Sequence, residues 1–200
     1  GNIVQTENVV AIIEGSEKPN EYIIISSHLD HEGEKNGVIY NGADDNGSGT
    51  IAVLKVAEAF QNAVLSGYRP KRSIIFLHLT GEEKGLLGSK FYTDNPLYPL
   101  ENTMVNLNID MIGRIDPRHK NNIERYIYLI GTNLLSSELH EISESTNKNT
   151  TKLYLDYKYN DIDQFECIYY RSDHFHFVKN NIPAIFYFND DQKNTSINSK

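Results

Sequence analysis

The sequence has little cysteine, fewer basic than acidic residues and no long apolar run. Cys167 is the only cysteine among 200 residues, so an intramolecular disulfide and a zinc site built from several thiolates are both excluded. Asp and Glu number 27 against 19 Lys and Arg, a net charge of −8, which argues against nucleic acid as a partner because phosphate binding needs a basic face. No stretch approaches the roughly 20 apolar residues of a membrane span, so no span is expected.

The chain also lacks a signal-peptide pattern, an internal repeat and a low-complexity tract. Its length suits one compact domain with a sizeable core, and its apolar and charged fractions are ordinary for a globular protein. We therefore expect a single domain over residues 1–200.

Short β-branched runs alternate with segments of helical periodicity along the chain. Residues 9–13 and 22–26, separated by a polar turn, are predicted as adjacent strands. Further strands are predicted over residues 73–79, 104–109, 126–130 and 183–188, and helices over residues 48–66, 86–92, 134–146 and 173–179. This alternation predicts an α/β sandwich with a mostly parallel central sheet. Polar residues and Tyr interleave over about residues 148–170, where we expect an irregular excursion near the site.

Polar side chains follow three of these strands at the point where each strand ends. Residues 28–30 (HLD) follow one strand, residues 82–83 (EE) another and Asp110 a third. Ligands of open α/β sheets bind beyond the carboxyl ends of the strands, so we expect these side chains to converge. Two more motifs, residues 41–49 (NGADDNGSG) and 171–174 (RSDH), lie at predicted helix starts.

These residue types can bind metal and move a proton. Zinc accepts imidazole and carboxylate ligands where thiolates are lacking. A pair of ions about 3.5–4 Å apart needs a bridging carboxylate, and Asp44 in its Gly-rich turn is the candidate. Of the neighbours Glu82 and Glu83, one should bind metal and the other take the proton of an attacking water. Asp30, two residues from His28, suits the task of holding the imidazole in one tautomer.

Together the five motifs resemble those of the zinc aminopeptidases of peptidase family M28, over roughly residues 6–188. The resemblance implies two Zn²⁺ per chain, with Co²⁺ or Mn²⁺ as substitutes. By motif position, it implies one zinc on His28 and Asp110, the other on Glu83 and His174, and Asp44 as the bridge.

The resemblance also implies a fold, a reaction and a substrate. The fold is the three-layer α/β/α sandwich of zinc-dependent exopeptidases, with a mostly parallel mixed central sheet. Glu82 is implied as the general base for a water that bridges the two ions, and Asp30 as the residue that orients His28. The implied substrate is a peptide with a free N-terminus, and the implied location is outside the cytoplasm. The oligomeric state stays open.

The sequence departs from the family pattern in two respects. The family domain normally begins with another helix and continues past the last strand with a His-containing loop and a closing helix, so the resemblance is to a catalytic domain trimmed at both ends. Some members carry a Tyr directly before the last ligating His to stabilise the oxyanion, and Asp173 stands there in this chain. Tyr169 and Tyr170 are the nearby candidates for an oxyanion or substrate contact.

Three other functions compete with the aminopeptidase. A glutaminyl cyclase is an acyltransferase on a similar fold with a single zinc, but the complete HLD and DDNGSG motifs favour two metals and hydrolysis. A carboxypeptidase or deacylase of the related M20 type would carry an inserted dimerisation domain, for which this chain has no room. A catalytically inactive fragment that still binds metal is the third alternative.

Overall fold

A computed structural model of the protein describes residues 4–119, 125–161 and 167–190, and a seven-stranded sheet runs through the centre of this part. The strands in chain order are β1 (Val9–Ile13), β2 (Lys18–His28), β3 (Gly33–Lys35), β4 (Val38–Tyr40), β5 (Arg72–Leu79), β6 (Thr103–Ile109), β7 (Tyr126–Ile130), β8 (Tyr154–Asp156) and β9 (Ala184–Phe188). The sheet order is β1-β5-β2-β6-β9-β7-β8, and β3 and β4 form a separate hairpin. The β1–β5 and β7–β9 pairs are antiparallel and the other neighbours run parallel, so the sheet is mixed and mostly parallel as predicted.

Helices cover both faces of this sheet. They are α1 (Gly47–Leu65), α2 (Leu87–Asp94), α3 (Ser137–Asn149) and α4 (His174–Lys179). Val53 of α1 shares a buried cluster with Phe76 of β5, whereas Phe177 of α4 shares another with Leu77. Successive strand side chains point to opposite faces, so α1 and α4 lie on opposite sides and the three-layer sandwich is confirmed. Within the described residues, no helix combines the length and the apolar character needed to cross a membrane.

The first two strands are not neighbours, contrary to the prediction. The sheet places β5 between β1 and β2, and β1 pairs antiparallel with β5 along its whole length. The connecting turn passes tightly beside the start of β5, because a Cβ on Gly15 would lie 2.5 Å from the Lys71 carbonyl oxygen. The backbone N–H of Gly15 also donates to Ser73 Oγ at 3.0 Å. A short polar turn therefore joins two strands that straddle a third.

The segment predicted as an irregular excursion contains regular structure. Strand β8 lies within it and pairs in parallel with β7 at the edge of the sheet, and a 3₁₀ turn follows at Ile168–Tyr170. Residues 162–166 of the predicted excursion lie outside the described residues. The three residues of β8 are too few to give a strand pattern in the sequence.

Candidate metal centre

Three side chains from neighbouring strand ends meet at one edge of the sheet. His28 ends β2, Glu82 follows β5 and Asp110 follows β6, and one ligand atom from each lies within 4.8 Å of the other two. The strands run parallel, so their carboxyl ends meet there, as the sequence predicted. Asp45 joins them from the turn before α1, with its Oδ1 at 3.2 Å from His28 Nε2.

A cleft of about 360 Å³ opens over this group. Its walls combine carboxylates, two basic residues and aromatic side chains: Glu32, Lys35, Tyr40, Asp45, Glu82, Glu83, Asp110, Met111, Arg171, Phe186 and Phe188. The volume suits a small ligand or the end of a peptide.

His28 is buried among carboxylates on both sides of its ring. Nδ1 lies 2.9 Å from the main-chain oxygen of Asp30, and Nε2 lies 3.5 Å from Asp110 Oδ1. Burial alone would lower the pKa of His28, but the charge of Asp110 and the contacts with Asp30 and Asp45 outweigh it and raise that pKa above its usual value. The pocket therefore favours positive charge at this position.

Asp110 presents one oxygen to His28 while the other is fixed from behind. Ser172 Oγ donates a hydrogen bond to Asp110 Oδ2 at 2.7 Å, and Asn108 Nδ2 donates to Ser172 Oγ at 2.7 Å. All three residues are buried. The serine of the RSDH motif thus contacts the group indirectly, by holding the Asp110 carboxylate.

Asp30 contacts His28 differently from the prediction. Its main-chain oxygen makes the hydrogen bond to the ring, while its carboxylate oxygen Oδ1 lies 3.6 Å from Nδ1. The carboxylate instead accepts hydrogen bonds from the N–H groups of Glu82 at 3.1 Å and Glu83 at 3.3 Å. Burial would raise the pKa of Asp30, but His28 and these two N–H groups lower it overall. Asp30 therefore stays ionised and holds the turn that carries both glutamates.

Glu82 and Glu83 have raised pKa values. Burial raises the pKa of Glu82 to about 9, with a further contribution from the charge of Asp110. Burial raises the pKa of Glu83 to about 7, with a further contribution from Asp45. Both line the cleft, but only Glu82 belongs to the three-residue group with His28 and Asp110. A cation placed among these carboxylates would favour their ionised forms.

Asp44 and Asp45 point in different directions. Asp44 Oδ1 accepts a hydrogen bond from the Gly113 N–H at 2.6 Å, and its Oδ2 lies 3.8 Å from Arg114 Nε. Asp45 contacts His28 and lines the cleft, and Asp44 does neither in the part of the chain that the structure describes. The bridging role that the motif assigns to Asp44 therefore stays a prediction, and the contacts offer Asp45 as the alternative.

His174 is not a member of this three-residue group in the part of the chain that the structure describes. Its ring is completely buried, with its centroid 5.0 Å from that of Phe186 and 5.4 Å from that of Tyr169. Burial lowers the pKa of His174 to about 4, so the ring is neutral. Over residues 4–119, 125–161 and 167–190, His174 neither lines the cleft nor joins a group of potential metal ligands. Its neighbour Asp173 is also completely buried, and burial raises the pKa of that carboxyl to about 7.

The two tyrosines singled out for an oxyanion or substrate contact do not line the cleft among the described residues. Tyr169 is buried against Tyr170, with ring centroids 5.2 Å apart. Tyr40 and Lys35 of the β3–β4 hairpin line the cleft instead, and sequence reasoning missed both. The Asn36-Gly37 pair in the sequence could have indicated this hairpin, because Asn-Gly is typical of two-residue hairpin turns. In the structure the two residues have φ values of 55° and 77°, which suit such a turn.

The residues present fit a divalent cation. His28 Nε2 and Asp110 Oδ1 are buried and make no hydrogen bond, although each faces the other across 3.5 Å. Buried polar atoms are almost always hydrogen-bonded, so two buried atoms without a hydrogen bond in one place favour a further partner between them, such as a cation. Imidazole nitrogen and carboxylate oxygen are a ligand set that zinc accepts.

Comparison with known proteins identifies a family and a curated relative. The model of the family described as peptidase family M28 matches residues 8–197. A probable glutamate carboxypeptidase from Arabidopsis thaliana is 33% identical over 109 residues, which cover 54% of this chain and 15% of that protein. The chain thus spans a small part of this curated relative.

Solved structures share the fold. A zinc aminopeptidase from Bacillus subtilis matches with a TM-score of 0.68 and 23% identity, covering 96% of this chain and 42% of that one. A glutaminyl cyclase from Porphyromonas gingivalis matches with a TM-score of 0.65 and 18% identity, covering 94% of this chain and 64% of that one. At these identities the likeness establishes the α/β sandwich, and the chemistry must be argued from the site.

Proposed function

Because this chain belongs to peptidase family M28, we propose that it acts as a zinc-dependent aminopeptidase on peptides with a free N-terminus. The observation that carries the proposal is that two buried atoms, His28 Nε2 and Asp110 Oδ1, face each other at 3.5 Å without a hydrogen bond, beside a cleft lined by Asp110 and further carboxylates. An acidic cleft attracts a positively charged α-amine and disfavours a free carboxylate, which supports attack at the N-terminal end of a peptide.

We assign the metal ligands from the contacts. His28 and Asp110 would hold one zinc, with Asp45 in the bridging place that the sequence pattern gave to Asp44. Glu83 lines the same cleft and would hold a second zinc together with Asp45. These two carboxylates are the ligands that we assign to the second ion. His174, the imidazole that the motif adds to them, does not line the cleft among the described residues, so we expect the second ion to bind more weakly than the first. Co²⁺ or Mn²⁺ would suit the same nitrogen and oxygen ligands.

The protein's own groups would carry the proton. Bound zinc would supply a Lewis acid that polarises the scissile carbonyl and acidifies the attacking water. Glu82 lies beside His28 and Asp110, so it is placed to take the proton from that water and deliver it to the leaving amine. Asp30 holds the backbone of this turn through two N–H groups and so keeps Glu82 in place.

A single-zinc acyltransferase of the glutaminyl cyclase kind is the second candidate, since such an enzyme shares the fold. The contact of Asp45 with His28 and the position of Glu83 in the cleft favour hydrolysis with two ions over this alternative.

The deciding experiment uses paired substrates. The zinc-loaded protein is assayed against a panel of aminoacyl chromophores and short peptides, each with a free and an N-acetylated terminus. We expect cleavage of the free-amine forms alone and loss of activity with a chelator. Equal rates on both forms would contradict an aminopeptidase. Cyclisation of N-terminal glutamine without hydrolysis would favour the acyltransferase, and bound zinc with neither reaction would indicate an inactive metal-binding fragment.

A further inference from the structure

Asp45 and Asp110 lie on two separate turns. Hydrogen bonds join these two turns, and the side chains that make them do not line the cleft. Asn46 Nδ2 donates to the Ile109 oxygen at 3.0 Å, and the Met111 N–H donates to Asn46 Oδ1 at 3.3 Å. The next two N–H groups of the second turn are also used: that of Ile112 donates to Ser48 Oγ at 3.0 Å and that of Gly113 to Asp44 Oδ1 at 2.6 Å. Residues on both sides of Asp110 are therefore tied to residues on both sides of Asp45.

The two turns approach each other too closely for larger residues. A Cβ on Gly49 would lie 2.3 Å from Asn46 Oδ1 and 2.4 Å from the Ile109 oxygen. A Cβ on Gly113 would lie 2.7 Å from Asp44 Oδ1. Both glycines thus permit the close contact of the two turns.

Asp44 takes part in the contact between the two turns and does not line the cleft. It is buried, and Arg114 lies on its far oxygen at 3.8 Å, so its negative charge is compensated within the turn. Ser48 Oγ also donates to the Asp44 main-chain oxygen at 2.7 Å, which fixes the backbone directly before Asp45. The direction of the Asp45 side chain follows from that backbone.

We propose that Asp44, Asn46 and Ser48 are positioning residues that set the separation of the Asp45 and Asp110 carboxylates, and that Asp44 acts by accepting the Gly113 hydrogen bond instead of binding metal. This inference rests on the metal centre proposed above. It explains why a turn that supplies one ligand contains three further polar side chains: they satisfy the N–H and carbonyl groups around Asp110.

The test compares two variants of Asp44 that separate its charge from its hydrogen bond. Asp44→Asn keeps an oxygen that can accept from Gly113, whereas Asp44→Ala removes it. Zinc affinity is measured by competition with a chelator in the absence of substrate. We expect Asp44→Asn to stay within about 3-fold of the wild type and Asp44→Ala to bind about 10–100-fold more weakly. Asp45→Asn should weaken zinc binding at least as much. Equal loss of zinc in both Asp44 variants, with zinc retained by Asp45→Asn, would overturn the proposal.

Two controls keep the result interpretable. Val53→Ala removes a buried side chain from the same helix and should lower the Tm without changing zinc affinity. If Asp44→Ala does not fold, Ser48→Ala removes two hydrogen bonds of the same contact, the one from the Ile112 N–H and the one to the Asp44 main-chain oxygen. This variant should still weaken zinc binding by about 10-fold, and unchanged affinity there would contradict the positioning role.

Hydrogen exchange of the Gly113 amide separates this inference from the proposed function. Protection of that amide should persist in metal-free Asp44→Asn and be lost in metal-free Asp44→Ala. If the wild type binds no zinc while this pattern holds, the proposed function fails and the joining of the two turns stands. Equal protection in both variants would refute the role of Asp44.

Discussion

Asp30 orients His28 through its main-chain oxygen, 2.9 Å from Nδ1, and leaves its carboxylate for other partners. A main-chain acceptor keeps a proton on Nδ1, so that in the neutral ring, the form that binds metal, the lone pair of Nε2 faces Asp110. The carboxylate is then available to the N–H groups of the glutamate turn. Asp30 thereby holds the proposed metal ligand His28 with its backbone and the turn of the proposed base Glu82 with its side chain.

Because the backbone of Asp30 contacts His28 and its carboxylate contacts the glutamate turn, Asp30→Ala should affect catalysis more than zinc binding. The main-chain contact with His28 survives the substitution, whereas the turn carrying Glu82 loses its two hydrogen bonds. We expect kcat to fall by about 10–100-fold and zinc affinity to fall less. Steady-state kinetics and chelator competition on the same preparation check this, with Asp30→Asn as the milder control because it retains one acceptor oxygen. A larger loss of zinc affinity than of kcat would show that the carboxylate itself orients His28.

The neighbouring glutamates should respond oppositely to loss of charge. Glu82→Gln keeps the shape of the side chain and removes its basicity, so we expect kcat to fall by about 10²–10⁴-fold with the metal content retained. Glu83→Gln should lose the weaker ion while the tighter one stays. Metal analysis and rates on a free-amine substrate check both variants. Loss of zinc from Glu82→Gln, with Glu83→Gln still loaded and slowly active, would exchange the two roles.

The sequence motif and the structure lead to different expectations for His174, and a substitution can distinguish them. The motif predicts a zinc ligand, but the ring packs between Phe186 and Tyr169 without lining the cleft. We expect His174→Phe to leave the number of bound zinc ions unchanged, because an aromatic ring can fill the same space. Metal analysis at saturating zinc decides the matter, with His28→Phe as the matched control that should lose zinc. A drop of one ion per chain in His174→Phe would restore the ligand assignment.

His78 should make the fold less stable in acid. It is buried within β5, with Nδ1 3.0 Å from Ser27 Oγ, and burial lowers its pKa below the usual value of 6.5. Below pH 6.5 the unfolded chain binds a proton that the folded protein resists, so stability from this group is present at neutral pH and is lost as pH falls. Urea unfolding between pH 7.5 and pH 5 should show a smaller decline for His78→Gln than for the wild type. Parallel declines would exclude His78 as the cause.

The sequence by itself determined much of the architecture and most of the polar residues at the site edge. Apolar runs of strand length and the periodicity of α1 predict the alternating elements, because burial of one face imposes these periods on the chain. Residues directly after strands reach one edge whenever the strands are parallel, so the convergence of His28, Glu82 and Asp110 could be predicted. The sequence pattern is therefore enough to predict which residues meet when each of them lies at the end of a parallel strand.

Only the tertiary structure decided which way these side chains point and what they contact. Whether Asp44 or Asp45 faces His28 depends on the backbone path of one turn, and that path is set by hydrogen bonds to residues 109–113, more than sixty positions away. The place of β1 beyond β5 and the packing of His174 among aromatic rings likewise result from contacts between distant segments. Local periodicity carries no information about such contacts, because the free energy that selects them comes from groups far apart in the chain.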